Sequence, residues 1–163
     1  YGRELFYHKQ YEYAILILKK FLEEPDGWIE NKLNSCLVLS CCYQAMGENA
    51  AALDILFYSF TMDVPRAEIC CEIGRLFMEK REYVTAAYWY QQALLAPRKK
   101  KNGGFYIADS HDFIPAIQMC VCLDKAGRHR EAFEFHKKAR VLKPLHQAVI
   151  GNEKYFWDVW GME

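Results

Sequence analysis

The chain has 163 residues, of which 52% are hydrophobic, enough for the core of one compact domain or a short repeat array. Lys and Arg number 21, as do Asp and Glu, and this balance argues against nucleic acid or an anionic membrane surface as the partner. No apolar run approaches the roughly 20 residues of a transmembrane helix, so we predict no membrane insertion.

The cysteines also restrict the class of protein. The seven cysteines lie in apolar, helical stretches, and none forms the CxxC pair of a zinc site. An odd number of thiols on helices favours reduced, buried side chains in a reducing compartment. We therefore predict a cytoplasmic protein with no metal and no cofactor. The residues concerned are Cys36, Cys41, Cys42, Cys70, Cys71, Cys120 and Cys122.

The first predicted helical pair covers residues 1–28. Gly2 lies on a short first helix, and Ala14 is the small residue expected where the second helix contacts it. Lys9 stands at the turn, where glycine would be favoured. Because Tyr1 is not Met and already lies in a helical pattern, we expect the sequence to be a piece of a longer protein.

Two further predicted pairs cover residues 33–65 and 66–97. Ala52 takes the contact position of the second pair, and in the third pair Gly74 and Ala86 leave room for close approach of the helices. Ala86 follows Ala52 by about 34 residues, the length of one tetratricopeptide repeat. The two pairs are therefore in the same register.

An insertion separates the third pair from the fourth, which covers residues 113–144 and has Ala132 at its contact position. We predict a loop over residues 98–112, since Gly103 and Gly104 cannot continue a helix. After the fourth pair, an amphipathic segment over about residues 146–160 is expected to form a capping helix on the exposed end of the array.

Helical pairs of this length, with small residues at the contacts, are typical of tetratricopeptide repeats. We predict an all-α fold, a right-handed superhelix (α-solenoid) of about four repeats plus the capping helix, forming a single domain over residues 1–163. The first helix of each repeat should line the concave face. Such faces bind a protein or peptide, so a protein partner is the leading expectation.

Polar side chains of mixed charge recur at helical spacing on the predicted concave face. Arg66, Glu68 and Arg75 are the strongest candidates, because a charged string at the start of a central helix has no packing reason to be charged. A surface ion pair of small energetic worth is the alternative. A clamp for a peptide C-terminus would need more converging cations than the face offers. The candidate partner-binding residues are Arg3, Asn34, Gln44, Arg66, Glu68, Arg75, Glu79 and Asp124.

Two short motifs raise the question of catalysis or phosphate binding. Residues 109–111 (Asp-Ser-His) have the residue types of a hydrolytic triad, but neighbours in a short loop cannot converge as nucleophile, base and orienting group. Residues 98–101 (Arg-Lys-Lys-Lys) precede Asn-Gly-Gly without the Walker spacing, which favours a solvated charge run over a phosphate loop. We predict no catalytic residue.

Aromatic residues of the predicted capping helix suggest an assembly surface. Phe156, Trp157 and Trp160 would be uncovered unless a further helix packed on them. We therefore expect a homodimer that forms through this segment.

Five stretches of the sequence resemble one bacterial family. They are YGRELFYHKQYEYAI (1–15), GWIENKLNSC (27–36), DVPRAEICCEIGRLF (63–77), WYQQAL (89–94) and PAIQMCVCLDKAG (115–127). They are similar to the C-terminal tetratricopeptide region of family 2 glycosyltransferases, and the PRAEICC string is more particular than the general repeat consensus.

The resemblance implies that the chain is a non-catalytic part of an enzyme. In that family an N-terminal nucleotide-binding domain with an acidic metal-binding motif transfers the sugar, and this chain has no Asp-x-Asp motif. The implied work of the repeats is to bind the acceptor, a protein or peptide, or to pair the subunits, with the parent's own catalytic domain as a further partner. One alternative stays open: a free-standing tetratricopeptide adaptor or regulatory protein that binds a peptide of an unrelated partner.

Overall fold

The computed structural model describes residues 1–98 and 106–162, and within them no β-strand occurs. None of the described helices is long and apolar enough to cross a membrane. Short 3₁₀ turns lie at Ser59–Thr61 and Ala108–His111. The helices are α1 (Gly2–Tyr7), α2 (Tyr11–Glu23), α3 (Ile29–Ala45), α4 (Asn49–Tyr58), α5 (Ala67–Glu79), α6 (Tyr83–Leu95), α7 (Phe113–Lys125), α8 (His129–Leu142) and α9 (Gln147–Trp160).

The helices pair into hairpins, α1 with α2, α3 with α4, α5 with α6, and α7 with α8. Each of these hairpins turns through one residue with a left-handed backbone: Lys9 (φ 59°), Gly47 (φ 79°), Arg81 (φ 60°) and Gly127 (φ 79°). Glycine adopts this conformation freely, whereas a residue with a Cβ does so at a cost of roughly 1 kcal/mol. Lys9 and Arg81 therefore show that packing of the flanking helices determines the turn.

The described residues cluster in two compact units, where the sequence predicts one domain. The first contains Tyr1–Pro65 and Tyr106, and the second contains Arg66–Arg98 and residues 107–162. In the first unit α2 packs on α3, and α3 begins at Ile29, before the start predicted for the second pair. The core of this contact consists of Leu18, Leu22, Cys36 and Leu39.

In the second unit α5, α6, α7, α8 and α9 pack in chain order. A Cβ added at Gly74 on α5 would lie 2.9 Å from the Tyr90 ring on α6, which confirms the close approach predicted at this glycine. Val149 of α9 is fully buried in a cluster with Phe113 and Ala139. The ninth helix thus covers the last hairpin, as predicted for the capping segment.

All seven cysteines are free thiols, and all but the half-buried Cys41 are buried. Burial raises the pKa of the Cys36 thiol to about 12, and burial raises that of Cys120 to about 12 as well. A thiol with such a pKa is almost entirely protonated near neutral pH and is a poor nucleophile. The cysteines act as small core side chains.

Candidate functional site

A cavity of about 460 Å³ opens in the first unit among α1, α2 and α3. Its polar lining comes from Tyr1, Arg3 and Glu4 at the start of the chain and from Asn31, Asn34 and Ser35 of α3, and its apolar lining includes Ile17, Phe21 and Val38. Concave sites with a mostly apolar wall and a few polar groups are where proteins bind ligands. Two of the residues predicted for partner binding, Arg3 and Asn34, lie in it.

Local structure explains how these side chains meet. Gly2 is buried against Leu18, and a Cβ on this glycine would lie 2.7 Å from the Leu18 side chain. The start of α1 therefore lies close to α2, which brings the adjacent Arg3 to the rim of the cavity. Asn31 and Asn34 are three residues apart on α3 and so share one face of the helix.

The polar groups of this cavity are available to a partner. Within the described residues the Arg3 guanidinium and the Asn34 amide make no hydrogen bond or ion pair, whereas Ser35 Oγ donates to the Asn31 carbonyl at 2.8 Å. An Asn amide both donates and accepts, so it can bind a peptide N–H and C=O, and an Arg fork suits a carboxylate. The cavity offers the groups needed to hold an extended peptide.

Gln44 lies near the C-terminal end of α3 and does not line the cavity. Its amide donates to Ser40 Oγ at 3.1 Å. Gln44 therefore has a partner within its own helix.

The structure corrects the prediction for Arg66 and Glu68. Both are buried, with 7% and 6% of their surfaces exposed, so a partner cannot reach them on the surface. Glu68 Oε1 instead accepts the backbone N–H of Ile107 at 2.8 Å and lies 3.5 Å from His111 Nε2. The charge has an internal role that the sequence did not reveal, because its partner is 39 residues away along the chain.

Arg75 remains at the surface of α5 and is engaged within its helix. Its guanidinium donates to Glu72 at 2.6 and 3.0 Å and also contacts Glu79. The side chains of Arg75 and Glu79 are 41% and 54% exposed. The surface ion pair left open by the sequence is thus present, and both residues are accessible to a partner.

Asp124 belongs to a polar and aromatic network between α7 and α9. Its carboxylate accepts the Tyr155 hydroxyl at 2.8 Å and lies 2.7 Å from His129 Nδ1. The Trp160 ring stacks on His129 with centroids 3.8 Å apart, and its indole N–H donates to the Tyr155 hydroxyl at 3.3 Å. Asp124 and Trp160, predicted for different roles, hold one end of α9.

The structure divides the predicted assembly surface. Phe156 is 1% exposed and packs against Phe133 and His136, so it belongs to the core. Trp157 and Trp160 remain 54% and 41% exposed. Trp157 is adjacent to Phe156 and so points to a different side of α9. Trp160, four residues after Phe156, shares its face but is the last residue of the helix and stacks on His129.

Residues 109–111 do not converge as a triad. Asp109 pairs with Lys143, while Ser110 and His111 are buried and His111 faces Glu68. Arg98 pairs with Asp112 at 3.1 Å. The predicted charge run at 99–101 and the glycines at 103–104 lie outside the described residues.

Sequence reasoning missed Asn31 and the stacking of His129 on Trp160. Asn31 could have been found, because it precedes Asn34 by one helical turn. The stacked pair could not, since it depends on where α9 docks.

Solved structures with the same fold include MamA and PilF, which are tetratricopeptide-repeat proteins. A crystal structure of MamA superposes with a TM-score of 0.67 at 20% identity, over 88% of this chain and 74% of that one. The structure of MamA AMB-1 superposes with a TM-score of 0.69 at 18% identity, over 98% of this chain and 79% of that one. PilF of Pseudomonas aeruginosa superposes with a TM-score of 0.64 at 19% identity, over 95% of this chain and 64% of that one. These matches confirm the predicted all-α tetratricopeptide fold.

No protein-family model matches the sequence, and no curated protein sequence matches it.

Proposed function

We propose that this chain is a non-catalytic protein-interaction module that binds an extended peptide segment in the cavity of its first unit. The observation that supports it most directly is the pair Arg3 and Asn34, whose polar groups have no partner among the described residues and yet line an apolar cavity. Arg3 is exposed and Asn34 is half-buried, so water solvates both polar groups in the free protein. A peptide in the cavity would replace that water with direct hydrogen bonds.

A display experiment tests the proposal. A library of linear peptides is selected on the full chain, and the affinity of the selected peptides is measured for the wild type, for the double variant Arg3→Ala/Asn34→Ala and for the control Arg130→Ala, an exposed arginine outside the cavity. Loss of two hydrogen bonds, one of them charged, should weaken binding about tenfold or more. Equal affinity for the wild type and the double variant would refute the cavity as the site.

We further propose that the module belongs to a bacterial family 2 glycosyltransferase and binds the acceptor or pairs the subunits of that enzyme. The similarity of the repeat sequences to that family, above all the PRAEICC string at residues 65–71, supports this proposal. The sequence of the parent gene tests it: a nucleotide-sugar-binding domain should be encoded upstream in the same reading frame. A gene without such a domain would leave the free-standing adaptor.

The adaptor alternative has an observation of its own in its favour. An array of this size makes up most of a MamA chain, since 74% of that chain is matched. Whether the chain is part of a glycosyltransferase or a free-standing adaptor, its free thiols suit a reducing cytoplasm.

Trp157 and Trp160 support the proposal of a homodimer, because exposed tryptophans on one helix are typical of interfaces. Sedimentation of the wild type and of Trp157→Ala measures the oligomeric state. A monomeric wild type at high concentration contradicts the proposal. A dimer that Trp157→Ala leaves intact places the interface elsewhere.

A further inference from the structure

One face of α5 is divided into a covered half and an open half. Glu68, Cys71, Arg75 and Glu79 recur at helical spacing and so lie on one face. The Glu68 side chain is 4% exposed and Cys71 is 8% exposed, against 41% and 54% for the side chains of Arg75 and Glu79. Something covers the first two turns and leaves the rest of the helix open.

Residues 107–111 of the chain itself cover these two turns. Side chains of α5 bind the backbone of this segment. Glu68 accepts the N–H of Ile107, which has an extended conformation, at 2.8 Å. The Cys71 thiol donates to the Ser110 carbonyl at 3.4 Å. Side chains that bind a backbone donor and a backbone acceptor are the means by which a helical face holds an unrelated peptide.

Further contacts anchor the segment away from α5. Asp109 pairs with Lys143 at the end of α8, and Arg98 donates to the His111 carbonyl at 3.4 Å. The Ile107 side chain stays half-exposed. Ser110 and His111 are also buried, and the segment packs against α6 and α7 as well as α5, so both these polar contacts and this packing must be broken to uncover Glu68.

We propose that residues 107–111 are an intramolecular ligand of α5, which occupies in cis a surface that can bind the backbone of a short peptide. A partner's segment then binds this surface only when residues 107–111 leave it. The inference concerns a second surface, on α5 of the second unit, and it rests on the proposed function in that the chain binds peptides. The contact in cis can nevertheless be measured without any partner.

Hydrogen–deuterium exchange of the full chain measures that contact. Glu68→Gln keeps the volume and removes the charge, so the Ile107 N–H keeps only a neutral acceptor. Exchange of the amides of residues 107–111 should speed up by about fivefold, the factor expected for losing the charge-assisted part of that hydrogen bond. Glu79→Gln, on the open half of the same helix, is the matched control and should change nothing there. Unchanged exchange in Glu68→Gln would overturn the contact in cis.

A synthetic peptide of residues 106–112, labelled with a fluorophore, tests occupancy in trans. It should bind a variant in which residues 107–111 are replaced by a Gly-Ser linker of equal length, and bind the wild type at least about tenfold more weakly. Lys143→Ala, which releases Asp109 without altering α5, should give intermediate binding and serves if the linker variant does not fold. Equal binding by all folded forms, or binding by none, would overturn the proposal. Success of the exchange experiment together with failure of the display experiment would locate the error in the proposed cavity.

Discussion

Polar residues on the α3 face of the first unit and on the α5 face of the second unit differ in accessibility and in hydrogen bonding. On α3, Asn34 lines a cavity and has no partner among the described residues. On α5, Glu68 is buried beneath residues 107–111 and hydrogen-bonded to them. Polar residues at similar positions of a repeat are thus accessible in one unit and engaged by the chain's own fold in the other. The two roles differ in what a substitution should change, binding in the first unit and stability in the second.

The largest effect is expected where the second unit is most tightly packed. Gly74→Val places methyl groups where a Cβ alone would lie 2.9 Å from the Tyr90 ring. Separating α5 from α6 should destabilise the protein by about 3 kcal/mol, measured by urea unfolding. Gly151→Ala on α9 is the control, because a Cβ there meets no atom within 4 Å. This control should stabilise the protein by roughly 0.5–1 kcal/mol. An unchanged midpoint in Gly74→Val would show that α5 is not held rigidly.

A second prediction concerns pH. His136 is fully buried between α8 and α9, and neither ring nitrogen has a hydrogen-bond partner among the described residues. Burial lowers the pKa of His136, with Glu153 opposing and Arg140 adding to the shift. A lowered folded pKa means that the neutral ring's contribution to stability is present above the unfolded pKa of about 6.5 and is lost as pH falls through the folded pKa.

The free energy of unfolding should therefore fall below pH 6.5, by at most about 1.4 kcal/mol per pH unit from this group. His136→Phe, which cannot be protonated, should flatten the profile between pH 6.5 and 5 in thermal unfolding. An identical slope in the variant would assign the pH dependence to other groups.

A smaller effect is expected in the network that holds the end of α9. Tyr155→Phe removes the hydroxyl that donates to Asp124 at 2.8 Å and accepts from the Trp160 indole at 3.3 Å. Loss of a partly exposed hydrogen bond should cost about 1 kcal/mol. Fluorescence of Trp160, in a background in which the other three tryptophans are replaced by Phe, reports the loss during unfolding, since detachment of α9 should precede the main transition. Coincident transitions in variant and wild type would show that the network does not hold the helix.

The smallest effects on stability are expected at the accessible polar residues. Asn34→Ala and Arg75→Ala should each change the unfolding free energy by less than about 0.5 kcal/mol, because the amide has no internal partner and exposed ion pairs contribute little. Asn34→Ala should nevertheless weaken peptide binding. Peptide binding by Arg75→Ala tests whether the open half of the α5 face contributes to partner binding. Unchanged binding would show that Arg75 does not contact the partner. A large loss of stability in Asn34→Ala would break the contrast between the two units.

Periodicity and small residues sufficed to predict the helical hairpins. Ala14, Ala52, Ala86 and Ala132 recur at the contact positions, and all four are completely buried, because a repeat determines its own packing locally. The same reasoning found Arg3 and Asn34, since helical spacing alone assigns a residue to a face. The repeat register also placed Lys9 at a turn. The left-handed backbone of Lys9 and Arg81 could not be predicted from their residue types, because helices packed on either side must offset its strain.

Sequence by itself determined the class of fold, the helices and the set of polar residues on each face. Tertiary structure alone decided which of those residues are accessible. Glu68 and Phe156 look available in a helical pattern, but Glu68 meets residues 107–111 and Phe156 meets Phe133. The physical reason is that periodicity assigns a side chain to a face, while burial depends on what distant segments place over that face.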